Sequence, residues 1–129
     1  MNLLIVDTNV LLRFLLDDVP EQADEVSRVF VKARAGDLRV FIPQIVVFEV
    51  VFNLVKLYEF DKDKVIDALN IIFNTQHFLI QDKDVFNLAL ALFKTNNISF
   101  ADCFIAGYVT FKKGNLFTFD KVLKKLAKN

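Results

Sequence analysis

Leu3-Leu4-Ile5-Val6-Asp7-Thr8-Asn9 sets four aliphatic residues directly before an aspartate. An apolar run of that length, without polar alternation, is the pattern of a short strand covered on both faces, the habit of parallel sheets. The pattern returns near the other end, where Leu116-Phe117-Thr118-Phe119 precedes Asp120. Val40-Phe41-Ile42 and Phe78-Leu79-Ile80 read as two strands between them.

Helices fill the intervals. One follows the first strand through about Leu16. A second opens at Pro20, lines up Ala23, Val26, Phe30 and Ala33 as one stripe, and stops at Gly36. Pro43 starts an apolar helix carrying Glu49, and Asp61 caps one bearing Val65, Ala68, Leu69 and Ile72. Val85, Leu88, Ala89, Leu92 and Phe93 recur with the helical period, Ser99 caps a further helix, and a lysine-rich helix ends the series. Strands alternating with helices require crossovers and a parallel sheet between helical layers. The expectation is an α/β fold of three layers, α/β/α, with a central parallel sheet of four or five strands and residues 1–129 as a single domain.

Acidic and basic residues balance at 16 each, so net charge favours neither nucleic acid nor membrane. Their distribution is uneven: from Lys112 onward there are six lysines and one acid, while the segment to Asp37 holds seven acids and four bases. A lysine-rich closing helix is either a phosphate-contacting surface or a plain solvated face. The single cysteine, Cys103, excludes an internal disulfide, fits a reducing, cytoplasmic setting and reads as a small buried hydrophobe. No signal-like segment opens the sequence, and Glu49, Asn53 and Lys56 interrupt its longest apolar stretch, so no membrane span is expected. A mean hydropathy of +0.39 with 15 phenylalanines points to a protein–protein interface beyond the core.

The acids carry the chemistry. Asp7 and Asp120 each stand just past the carboxyl end of an expected strand, the edge where open parallel sheets bind ligands, although both positions equally suit a helix N-cap. Asp102 follows Ser99 at the spacing of a capping box. Glu49 has Ile45, Phe48, Phe52 and Asn53 at helical spacing and no cation three or four residues away, so a charge buried there would need a partner from elsewhere, Arg13 or a metal ion. Four carboxylates within ~5 Å would repel by roughly 3 kcal/mol per pair at an effective dielectric near 20, which a divalent cation offsets. All-oxygen ligands select magnesium or manganese over zinc, and His77, the single histidine, has no second histidine to join it.

Asp7-Thr8-Asn9-Val10-Leu11-Leu12-Arg13 after the first strand, Glu49 in an apolar helix, Phe100-Ala101-Asp102 opening a helix and Thr118-Phe119-Asp120 after the last strand resemble the PIN-domain family. More narrowly, they are similar to its VapC-type ribonuclease toxins. The resemblance covers essentially the whole chain, in order. It implies a Mg2+- or Mn2+-dependent endoribonuclease with one or two ions on Asp7, Glu49, Asp102 and Asp120, and polar support from Thr8, Asn9 and Thr118. It implies an RNA substrate cut to leave a 5′-phosphate, a homodimer, and inhibition by a small antitoxin protein that also binds DNA. Lys112, Lys113, Lys121, Lys124 and Lys125 are the candidate RNA-backbone contacts. Ser99 departs from the pattern, since many relatives carry an acid there; four acids remain, enough for one well-held ion. A haloacid-dehalogenase phosphatase would want an acid at Asn9, and a phosphoacceptor receiver domain an acid beside Asp7. The alternative from another class is a catalytically inactive PIN-like module that binds RNA or protein.

Overall fold

Parallel pairing cannot be closed by a tight turn, and each strand of the computed structural model is followed by helix. The structure describes residues 2–127. The element order is β1 (Asn2–Ile5), α1 (Thr8–Leu15), α2 (Pro20–Arg34), β2 (Leu38–Ile42), α3 (Gln44–Lys56), α4 (Lys62–Phe73), β3 (Phe78–Ile80), α5 (Lys83–Thr95), α6 (Phe100–Lys112) and α7 (Lys121–Ala127). The chain divides into two compact units, residues 1–81 and 82–129.

The first unit holds the sheet, ordered β1-β2-β3 and parallel throughout. The register pairs Leu4 with Val40 and Val40 with Phe78, and Val40 and Ile42 of the middle strand are fully buried. Helix α2 packs on β2 and α4 on β3, while α1 packs against α2 and α3. Leu11, Leu12, Val47, Val50, Leu54, Leu69 and Ile72 close the core around β2. Phe14, Phe30 and Phe78 meet edge to face at 5.2–5.3 Å, and the His77 ring abuts Phe30 and Phe78. Local signals act where the sequence places them: Pro20 is the first residue of α2, Asp61 Oδ1 accepts the Lys64 amide at 2.9 Å, and Gly36 ends α2 at φ +89°.

In the second unit α5 and α6 pack face to face through Val85, Phe86, Ala89, Cys103, Phe104 and Ala106. Gly107 permits the approach: a Cβ there would meet the Val85 carbonyl oxygen at 3.2 Å and the Ala89 nitrogen at 3.4 Å. Cys103 is buried and outside any disulfide, as expected.

The α/β class and the parallel sheet match the expectation, with two corrections. The sheet has three strands among the described residues, not four or five. Leu116–Phe119 forms no strand; Phe117 and Phe119 are 86% and 92% exposed, with their rings packed on each other at 5.6 Å. A strand is defined by its ladder partner, and an apolar run alone cannot supply one. Nor is β1 covered on both faces: it is a sheet edge, its residues are exposed, and Ile5 is 65% accessible.

Candidate active site

Asp7 and Glu49 lie in the first unit, Asp102 and Asp120 in the second. Asp7 leaves β1 with extended backbone (φ −98°, ψ −178°), and its Oδ1 accepts the Val10 amide at 3.1 Å. The first amides of a helix lack intrahelical acceptors and form the positive end of its dipole, so a carboxylate is doubly favoured. That cap uses one oxygen; Oδ2 has no protein partner among the described residues, and the side chain is exposed at the carboxyl end of the sheet. Thr8 and Asn9 follow in the first turn of α1, Asn9 exposed and free of side-chain hydrogen bonds among the described residues.

Glu49 corrects a sequence expectation. Helix α3 buries Val46, Val47, Val50 and Leu54, and Glu49 points the other way, exposed. Its stripe holds Ile45 and Phe52, themselves 61% and 62% exposed. No burial penalty therefore demands a partner for it. Arg13 is not that partner: its Nε lies 3.3 Å from Asp18 Oδ1, and its Nη2 donates to Asp18 Oδ2 at 3.3 Å and to the Tyr58 hydroxyl at 2.9 Å. The Tyr58 hydroxyl in turn donates to Asp18 Oδ2 at 2.8 Å, closing a triangle that ties α1 to the end of α3.

Asp102, half-buried, is the third residue of α6. Its amide donates to Ser99 Oγ at 3.1 Å, one half of a capping box. The reciprocal bond, in which the Ser99 amide would donate to the Asp102 carboxylate, is absent among the described residues, which leaves both carboxylate oxygens uncommitted. Asp120 repeats the Asp7 arrangement: Oδ1 accepts the Leu123 amide at 2.9 Å, and Thr118 Oγ1 accepts the Asp120 amide at 3.0 Å.

No lysine or arginine pairs with any of the four acids among the described residues. Their donor chemistry, oxygen only with free oxygens remaining, suits a hard divalent cation. Among the described residues, no group of three or more His, Cys, Asp or Glu that could hold a metal ion occurs. His77, just before β3, is packed against phenylalanine, with Nε2 buried and without a hydrogen bond among the described residues. Desolvation by burial, then the Arg34 charge, holds its pKa below the ordinary value.

Lys112, Lys113, Lys121, Lys124 and Lys125 are all exposed, Lys112 with its ammonium 5.8 Å from the Phe111 ring centre. A cleft of about 390 Å³ beside Asp7 is lined by Gln22 and Glu25 of α2, which sequence reading passed over. Their spacing was visible, but an amide and an acid on the polar side of an amphipathic helix look the same whether they face a cleft or open water.

The PIN domain family model matches residues 4–129. A VapC ribonuclease of Aquifex aeolicus (strain VF5) is similar to this chain, 25% identical over 99 residues, covering 77% of this chain and 73% of that protein. A family match across both units, in a chain whose parallel sheet and capped helices carry the acids in order, means that this protein belongs to the PIN domain family.

Proposed function

We propose that the protein is a metal-dependent endoribonuclease, the toxin of a toxin–antitoxin pair, acting through Asp7, Glu49, Asp102 and Asp120. The family match and the name of the Aquifex relative support the reaction class. The observation that carries the site is that none of the four acids is neutralised by a cation among the described residues. Asp7 and Asp120 are the direct ligands in this reading, their orientations fixed by the Val10 and Leu123 amides. Glu49 and Asp102 bind directly or through water. Bound Mg2+ or Mn2+, one ion or two, supplies Lewis acidity toward the phosphoryl oxygens and makes water a better nucleophile. Thr118 fixes the backbone ahead of Asp120, and Thr8 and Asn9 supply polar support around Asp7. Hydrolysis breaks the P–O3′ bond by in-line attack of water and leaves a 5′-phosphate. The five exposed lysines hold the RNA backbone, so binding weakens as salt rises.

The exposed apolar stripe around Glu49 supports a homodimer or an antitoxin contact, and no helix among the described residues is long and apolar enough to cross a membrane. A cytoplasmic location belongs to the same reading. The second reading, an inactive RNA- or protein-binding PIN module, shares the same family match. Cleavage of a structured RNA with Mg2+ or Mn2+, with and without chelator, separates the two. The nuclease reading expects metal-dependent cleavage, loss on chelation and a Tm that rises with millimolar metal through native-state binding. An inert chain with an unmoved Tm overturns it.

A further inference from the structure

We propose that the cleft bounded by β1, α1 and α2 seats a nucleobase flanking the cut phosphate, with Glu25 and Gln22 selecting bases that carry an exocyclic amine. The inference rests on the endoribonuclease reading and adds specificity to it. The cleft volume of about 390 Å³ falls among cavities that take small organic groups. Leu4 and Ile5 of β1 and Val6 after it, Val10 of α1, and Val26 and Val29 of α2 give it apolar walls. Gln22, Glu25, Val26 and Val29 share one face of α2, so the polar rim and the apolar wall form one continuous surface.

Gln22 and Glu25 make no side-chain hydrogen bond or ion pair among the described residues, which leaves their donors and acceptors to a ligand. The one cation of the wall, Arg13, is committed to Asp18, so the cleft is a poor track for phosphate itself. Asp7 lines the same cleft at the start of α1. A base held there sets its phosphate beside the amide end of that helix, where a negative charge is favoured. From Gln22 to Val29 the α2 wall runs about 10 Å at the helical rise, the span of a nucleotide or two. Apolar walls desolvate the base faces while the rim bonds its edge, the usual arrangement for a splayed-out base. A carboxylate accepts from the exocyclic amines of adenine, cytosine or guanine, whereas uracil has none and offers only its ring N3–H, set between two carbonyl oxygens that repel the carboxylate.

The test uses four short RNAs that differ only at the position beside one cleavage site, with wild-type protein, Glu25→Gln and Val26→Trp. Wild type is expected to cut the amine-bearing RNAs about tenfold faster than the uracil one, the discrimination of one good base-edge contact. Glu25→Gln, at an exposed position, keeps the Tm and loses most of that preference; Val26→Trp fills the cleft and abolishes it. Equal cutting of all four RNAs by wild type, or an unchanged preference in Glu25→Gln, overturns the inference and leaves the nuclease reading standing. If wild type cuts none, the nuclease reading fails separately. Anisotropy binding of the same labelled RNAs in chelator then decides: equal affinities overturn the base slot, and an amine preference lost in Glu25→Gln upholds it. Unchanged base preference with loss of a protein partner in Val26→Trp overturns it in favour of a protein site.

Discussion

Asp7 is both a helix cap and a proposed metal ligand, and two substitutions separate the roles. Asp7→Asn keeps an oxygen able to accept the Val10 amide now bound at 3.1 Å, and asparagine caps as well as aspartate. It loses only the attraction of a full charge to the helix dipole, about 0.3–1 kcal/mol at an exposed site. Asp7→Ala also loses the cap, about 1 kcal/mol more, or a further Tm drop of roughly 4 °C in a chain of this size. The stability order is therefore wild type, then Asn, then Ala. The activity order differs: both variants lack the anionic ligand, and both should lose cleavage by about 100-fold or more, as when a group that meets transition-state charge is removed. Asp61 is the internal control. It caps α4 in the same way, accepting the Lys64 amide at 2.9 Å, and has no proposed part in the chemistry. Asp61→Ala should lower Tm as a lost cap does and leave cleavage intact. Thermal melts and initial rates on one RNA at fixed metal read both axes. Near-wild-type cleavage by Asp7→Asn would refute the reasoning, because it would make Asp7 a cap and nothing else.

Glu49→Gln should alter stability by less than about 0.5 kcal/mol, as expected of an exposed side chain without an ion pair, while metal-dependent cleavage is lost; a large drop in denaturant midpoint would contradict the exposure. Gly107→Ala pushes a methyl to 3.2 Å from the Val85 carbonyl oxygen, and that overpacking should outweigh the better helix propensity of alanine by about 1 kcal/mol. A stabilised variant in urea would show that the α5–α6 crossing is looser than it stands. His77 is held below its ordinary pKa by desolvation and by Arg34, so the unfolded chain takes up the proton first. Its contribution is neutral above about pH 6.5 and increasingly destabilising as pH falls below that, a slope that His77→Leu should remove; identical Tm–pH profiles for the two proteins would exclude it.

What was legible in the sequence was what neighbours in sequence determine. Asp7, Asp61 and Ser99 cap the helices they precede, Pro20 opens α2 and Gly36 closes it, because each acts on amides or dihedrals within a few residues. Apolar runs tell less. Val40-Phe41-Ile42 became the buried middle strand, whereas Leu3-Leu4-Ile5 became an exposed edge and Leu116–Phe119 no strand at all. The three runs are alike in composition; they differ in what the rest of the chain lays beside them, and an apolar run does not encode its neighbour.

The acids show the same division between local and distant causes. That Asp7 and Asp120 would cap helices follows from their positions alone, and capping was the ordinary explanation for each. Capping turns out to be compatible with chemistry, since a cap occupies one oxygen and leaves the other. For Glu49 the argument from burial fails, because α3 is apolar on nearly every side and the carboxylate takes the side that faces out. What needs explaining there is the company it keeps, Ile45 and Phe52 exposed on either side of an acid that has no ion pair among the described residues. The proposed homodimer or antitoxin contact over this face would account for both features, and it would tie the charge to what lies over the helix and not to the core beneath it.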